Sequence, residues 1–180
     1  MSAPVVRAAT AEDWPALVAL NNTEIPKVGP LSRSDGEWFL ANGEVLVIDG
    51  GDGDDGGPGE PTALLVLLAE GCGYASPNYS WFADRYERFQ YVDRIVVRAD
   101  RVGTGVGRAL YRLAIDRAIA AGRSMLAAEV NLVPRNDGSL AFHRRIGFRQ
   151  VGQHVDPRNG QTEAMLVLSV GDGAVTPATV

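Results

Sequence analysis

Glycine stands at positions 103, 105 and 107 of RVGTGVGRAL, between a run that reads as a strand and a run that reads as a helix. A glycine inside a regular element costs about 0.5–1 kcal/mol relative to alanine, so three together mark backbone that turns sharply or lies close to something. Upstream, QYVDRIVV (90–97) has the β-branched content of a strand. Downstream, the spacing predicts a helix from about Gly105 to Ala121, with Arg108, Arg112 and Asp116 on a polar stripe and Leu110, Leu113, Ala114 and Ala118 turned inward. The first turn of such a helix offers unpaired N–H groups and the positive end of its dipole, and glycines beside it remove the Cβ atoms that would keep a phosphate away. Counting excludes two phosphate loops. G-x-G-x-x-G fails because its last glycine falls on Arg108 or Leu110, and no G-K-[ST] follows as a P-loop demands. Arg98, Arg101, Arg108 and Arg112 are placed to pair with further phosphate.

The rest of the chain alternates. VVRAA (5–9) reads as a strand, Thr10 with Asp13 as a helix cap, and Ser32 with Asp35 as a second cap before EWFLA. VLVI (45–48) and TALLVLLAE (62–70) read as strands, followed by QYVDRIVV, the long helix, the strand SMLAAEV (124–130) and a short helix from Asp137 to Ile146 stopped by Gly147. FRQVGQHV and TEAMLVLSV close the chain as a hairpin. This is a mixed α/β order, predicting one domain over 1–170 with 171–180 as a tail.

Composition narrows the partners. A net charge of −5 on 180 residues argues against nucleic acid, whose phosphates draw clustered Lys and Arg. The longest apolar run, ALLVLLA (63–69), is too short to span a bilayer, and MSAPVVRAATAEDW lacks a signal-peptide core. The single cysteine, Cys72, reads as a small buried residue and points to a reducing, cytoplasmic setting without disulfide or Cys-based zinc. GGDGDD (50–55) matches one copy of a calcium-binding repeat fragment, but one copy between strands reads as a solvated loop, and no metal site is expected.

YVDRIVVRADRVGTGVGRAL resembles the acetyl-CoA loop of the GNAT superfamily of N-acyltransferases, whose signature is [QR]-x-x-G-x-[GA]. Residues 102–107 read VGTGVG, matching at Gly105 and Gly107, with Val102 at the first position and Arg101 one residue early. EVNLVPRNDGSLAFHRRIGF (129–148) is similar to the family's next strand, loop and helix, with Asn136, Ser139, Phe142 and Gly147-Phe148 at the recurring places. WFADRYERFQYVDRIVV more narrowly resembles a bacterial subgroup of the family with no settled substrate.

The resemblance implies a mostly antiparallel sheet of about seven strands with a central, splayed parallel pair and about four flanking helices. It implies acetyl transfer from acetyl-CoA to a primary amine of a small molecule by direct attack in a ternary complex. The other reading is an acyl-CoA-binding sensor without turnover. On the implied assignment, the backbone of Ile95, Val96 and Val97 holds the pantetheine arm. Val102, Gly103, Thr104, Gly105, Val106, Gly107 and Arg108 hold the pyrophosphate, with Asn136, Ser139 and Phe142 beside them. His143 occupies the place of the tyrosine that protonates the departing thiolate; the alternative is a helix-surface histidine. Tyr91 and Asp93 share a strand face at positions where relatives place acid–base groups, Asp93 as base or ammonium anchor, or else as a salt-bridge partner of Arg94. Glu129 is a further choice of base, and His154 reads as structural.

Seven aromatic residues lie between 74 and 91, which reads either as a lid over the acceptor or as a satellite core. The lid reading makes Tyr79, Trp81 and Phe82 substrate-binding, with Glu24, Asp84 or Asp93 receiving the ammonium of an amine with an apolar or aromatic portion. The partner expected is thus a small amine, with monomer or homodimer left open.

Overall fold

VLVI and TALLVLLA are long enough and branched enough to lie fully buried, and they pair. In the computed structural model, which describes residues 5–50 and 59–171, β2 (Glu44–Asp49) runs antiparallel to β3 (Pro61–Ala69) with Val47 opposite Leu64. The GGDGDD stretch beyond Gly50 and residues 172–180 lie outside the described residues. Seven strands follow the order β1-β2-β3-β4-β5-β7-β6, where β1 is Val6–Ala8, β4 Gln90–Val97, β5 Met125–Val133, β6 Arg149–Val155 and β7 Thr162–Ser169. β4 and β5 are parallel, and their register joins Gln90 to Leu126 and Tyr91 to Ala127. The β1–β2, β2–β3, β5–β7 and β6–β7 pairs are antiparallel.

The helices are α1 (Trp14–Asn22), α2 (Arg33–Asn42), α3 (Pro77–Ala83), α4 (Val106–Ala120) and α5 (Asp137–Ile146). The one that local sequence does not announce is α3, which adds to the four expected. The predicted Ser32 cap forms, whereas Thr10 opens a 3-10 turn (Ala11–Asp13) in which only the Asp13 half of the expected box is made. Ser32 Oγ accepts the Asp35 N–H at 3.2 Å while the Asp35 carboxylate accepts the Ser32 N–H at 2.7 Å, and the Asp13 carboxylate accepts the Thr10 N–H at 2.7 Å.

Contacts divide the chain into two compact units, Met1–Leu67 with Arg94–Leu110, and Leu68–Asp93 with Tyr111–Val180. In the first, Arg7 on β1 reaches both Asp13 and Asp49 at 2.7 Å, tying the start of the chain to β2. Trp14 packs flat against α2, and its indole N–H donates to the Ser32 carbonyl at 2.9 Å. The ring takes the space a side chain would need at Gly36, where an added Cβ would lie 1.8 Å from a Trp14 ring carbon. Gly36→Ala is therefore expected to cost roughly 1–3 kcal/mol by overpacking, although alanine is the better helix former by about 1 kcal/mol. Urea denaturation reads this directly; an unchanged or raised midpoint would show that Trp14 is not packed as described.

In the second unit, β5 and β7 carry a core of Met125, Leu126, Ala127, Ala128, Ala164, Met165, Leu166 and Val167. α5 ends as its sequence predicts. Gly147 adopts φ +114° and its N–H closes on the His143 carbonyl at 3.1 Å. α4 keeps Arg108, Arg112 and Asp116 exposed, buries Leu110, Ala114 and Ala118 with Leu113 half-buried, and is followed by Gly122 at φ +68°.

Candidate active site

The glycine stretch forms an exposed turn that runs directly into α4, whose first residue is Val106. Gly103 and Gly105 hold φ +83° and +94°, values that side-chain-bearing residues rarely adopt. A Cβ built on either would meet nothing within 4 Å. The glycines are thus required by backbone conformation, and the space beside them is open. Thr104 turns both its N–H (3.3 Å) and its hydroxyl (2.6 Å) onto the Arg101 carbonyl, and the Ala109 N–H makes an early helical bond to Gly105 at 3.0 Å. The N–H groups of Val106, Gly107 and Arg108 precede that bond, in the part of a helix where no intrahelical acceptor exists. An open, glycine-walled turn capped by such donors fits a diphosphate. Of the four arginines, Arg98 is clamped by Asp100 (2.7 and 2.9 Å) and Arg101 donates to the Gly50 carbonyl at 3.2 Å, while Arg108 and Arg112 stay exposed. Val102 is exposed too; of the β4 residues Ile95 and Val97 are half-buried and Val96 is buried.

The titratable cluster lies in the other unit. Because Tyr91 is in register with Ala127, the side chain two residues along β5 on the same face is Glu129. The Tyr91 hydroxyl donates to the Glu129 carboxylate, 2.8 and 2.7 Å from its two oxygens, and the Asn78 amide of α3 donates to Oε1 at 3.3 Å. Burial pushes the Glu129 carboxyl up to about 8, with the Asp93 charge adding to the rise and the Tyr91 and Asn78 hydrogen bonds opposing it. Burial, then the charges of Glu129 and Asp93, drive the Tyr91 hydroxyl well above its usual value. Tyr91 is thus a donor that stays protonated, and Glu129 is the group poised to exchange a proton near neutrality. Asp93 stands half-buried on the same strand. Its neighbour Arg94 is bonded to Asn21 Oδ1 at 3.0 Å and lies 5.4 Å from the Phe39 ring centroid.

His143 is 3% exposed, which overturns the surface-histidine alternative. Its Nδ1 sits 2.7 Å from the Ser139 carbonyl and so carries the proton, leaving Nε2 to accept from the Tyr111 hydroxyl at 2.6 Å. Burial lowers its pKa and raises that of Tyr111 far above the usual range. Phe142 and Phe148 pack against Tyr111 at 5.9 and 5.2 Å between centroids, and Asn136 caps α5 by accepting the Ser139 N–H at 3.2 Å. Tyr111→Phe strips Nε2 of its buried donor and is expected to cost about 1–3 kcal/mol. The sign with pH follows from the lowered His143 value: the unfolded chain binds the proton first, so His143 contributes stability above about pH 6.5 that is lost as pH falls below it. Denaturation midpoints for wild type and His143→Phe should converge or cross on acidification; parallel curves from pH 7.5 to pH 5 would contradict this placement.

The aromatic segment 74–91 is the satellite core. Tyr79, Phe82, Phe89 and Tyr91 are buried and pack at 5.3–6.3 Å between centroids. The Tyr79 hydroxyl donates to the Ala69 carbonyl at 2.7 Å. Trp81 is half-buried, with its ring beside Gly152 on β6 and Arg85 stacked 4.1 Å over it. Glu24, in the first unit, pairs with Lys27 at 2.8 Å, and Asp84 is exposed. Sequence reasoning left out Asn78, whose place depends on α3, as well as Tyr111 and Glu163.

Comparison with known proteins meets this geometry at the glycine turn and β5. Residues 61–148, from β3 through α5, match the acetyltransferase (GNAT) family. Over that span the chain carries a GNAT acetyltransferase domain. A streptothricin acetyltransferase from Streptomyces lavendulae is 34% identical over 115 residues, 61% of this chain and 58% of that protein, so the match spans less than two thirds of the relative. The GNAT-like fold is shared with the ribosomal-protein-S18-alanine N-acetyltransferase of Escherichia coli (TM-score 0.67, 15% identity, 96% of this chain and 97% of that one). It is shared as well with a Salmonella typhimurium structure solved with its cofactor acetyl-CoA (TM-score 0.66, 19% identity, 99% and 100%).

Proposed function

We propose that this GNAT domain, spanning residues 1–170, is an acetyl-CoA-dependent N-acetyltransferase acting on an amine of a small molecule. The observation that carries the reading is the half-buried Glu129 carboxyl, hydrogen-bonded by Tyr91 and Asn78 and lifted by desolvation to about 8. A carboxyl so placed accepts a proton in the pH range where amines are acetylated. The streptothricin acetyltransferase likeness favours a small molecule over a protein as acceptor.

Acetyl-CoA supplies an activated thioester when bound. The amides of Gly103, Gly105, Val106 and Gly107 hold its pyrophosphate, and the β4 backbone at Ile95–Val97 lies along its pantetheine arm. Asp93 would attract the acceptor as an ammonium, and Glu129 would take the proton that frees its nitrogen lone pair to bond to the acetyl carbon; the carbon–sulfur bond then breaks with its electron pair on sulfur, and the CoA thiolate takes up the second nitrogen proton. Tyr91 fixes the Glu129 carboxylate, and its hydrogen bond partly offsets the rise that neighbouring charges produce. His143 holds Tyr111 and with it the junction of α4 and α5.

Among the described residues, no helix is long and apolar enough to cross a membrane. The test is thermal stabilisation by acetyl-CoA, CoA and dephospho-CoA followed by CoA release across an amine panel. Stabilisation with amine-dependent release is expected; binding with no release on any amine would leave the sensor reading in its place.

A further inference from the structure

The sheet face that carries Glu129 carries a second carboxyl, Glu163. Glu129 is opposite Met165 on β7, Asn131 is opposite Glu163, and Glu163 is opposite His154 on β6, so Glu129, Asn131, Glu163 and His154 all project to one side. Glu163 is 4% exposed, and its Oε2 is buried without a hydrogen-bond partner. Asn78 is also 4% exposed, and while its amide nitrogen serves Glu129, its Oδ1 is buried without a donor. The His154 Nε2 beside them lacks a partner as well. The nearby guanidinium is committed elsewhere, since Arg158 binds Asp156 through three contacts of 2.6–3.0 Å. Burial and then the Asp156 charge push the Glu163 carboxyl up to about 7, with the Arg158 charge opposing the rise, and Glu163 in turn raises Glu129.

Two buried acceptors without donors, set among carboxyls, are each costly unless a ligand supplies the missing hydrogen. We propose that the acceptor is a dication: its reacting amine sits at Glu129 and donates to Asn78 Oδ1, and a second cationic group docks on Glu163. The assignment rests on the reading of Glu129 as the group that meets the amine. Among the described residues no His, Cys, Asp or Glu side chains are grouped to hold a metal ion, so the cation is organic. Glu129 and Glu163 are diagonal neighbours across β5 and β7, a relation that sets residues about 7–8 Å apart with the Cβ atoms somewhat closer, which suits two nitrogens joined by a short chain or ring.

The test compares a short α,ω-diamine with the monoamine of the same chain length, by calorimetric binding to the protein loaded with CoA. Wild type is expected to bind the diamine roughly 10- to 100-fold more tightly, the range of a charge-assisted hydrogen bond, and Glu163→Gln to bring the ratio to near one. Equal binding of the two amines by wild type, or a ratio that survives in Glu163→Gln, would overturn the proposal. Thermal stabilisation of the variant by CoA confirms that it is folded. Because binding is read without turnover, absence of acetyl transfer counts against the acetyltransferase reading and leaves the dication result standing on its own.

Discussion

Glu129→Gln should lower kcat by roughly 10²–10⁴ while changing the affinity for acetyl-CoA by less than about threefold. The amide keeps the shape and can still accept from Tyr91, but it cannot take a proton. In wild type, kcat/KM should rise with pH and bend near 8, because only the ionised carboxyl is competent. That bend should vanish in the variant, leaving whatever limb the acceptor's own titration contributes to both. Stability supplies an independent check. A carboxyl raised from 4.5 to about 8 on folding contributes stability that is present below about pH 4.5 and lost as pH rises through 8, so Glu129→Gln should gain on wild type in alkaline solution. A variant with full kcat and an unmoved pH profile would remove Glu129 from the mechanism.

Gly105→Val should abolish stabilisation by acetyl-CoA, CoA and dephospho-CoA alike. Gly105 holds φ +94°, where a β-branched residue is strained by about 1–2 kcal/mol or more, and its missing Cβ leaves open space beside the turn. Valine both fills that space and displaces the amides that precede the first helical bond, so a loss of at least about tenfold in affinity is expected. Because the turn is exposed, the melting temperature of the ligand-free protein should move little by comparison. Retained affinity would sink the assignment of the turn to the pyrophosphate.

Local signals were enough to place β4, α5 and the start of α2: the Ser32–Asp35 box, the β-branched QYVDRIVV and the Gly147 stop all act within a few residues of themselves. α3 was hidden because PNYSWFA contains residues of modest helix propensity over only seven positions. What makes it helical is burial of Tyr79 and Phe82 against Tyr91, a contact no local window contains. The aromatic density that could equally mark a lid is the same fact seen without its partners.

The candidate site divides along the same line. The glycine turn is a local feature, legible from spacing alone. The Tyr91–Glu129 pair depends on the parallel register of β4 with β5, which a long helix separates in sequence; a slip of one residue would put Glu129 on the other face. Asn78 inherits the invisibility of α3. For His143 a signal existed, since it lies three residues beyond the buried Leu140 on one helical face, while the adjacent Arg144 and Arg145 kept a surface place open beside it.

The central claim is direct transfer of acetyl from coenzyme A to an amine, with Glu129 taking the proton. It is tested most directly by quenching the reaction of protein, acetyl-CoA and a short diamine within one turnover, at a pH above the Glu129 value of about 8. Free CoA thiol, N-acetylated amine and intact protein mass are then measured in each sample. Thiol and acetylated amine should appear together in equal amounts while the protein mass stays unchanged. An acetylated protein that forms before the product, or bound acetyl-CoA that never yields acetylated amine, would contradict it.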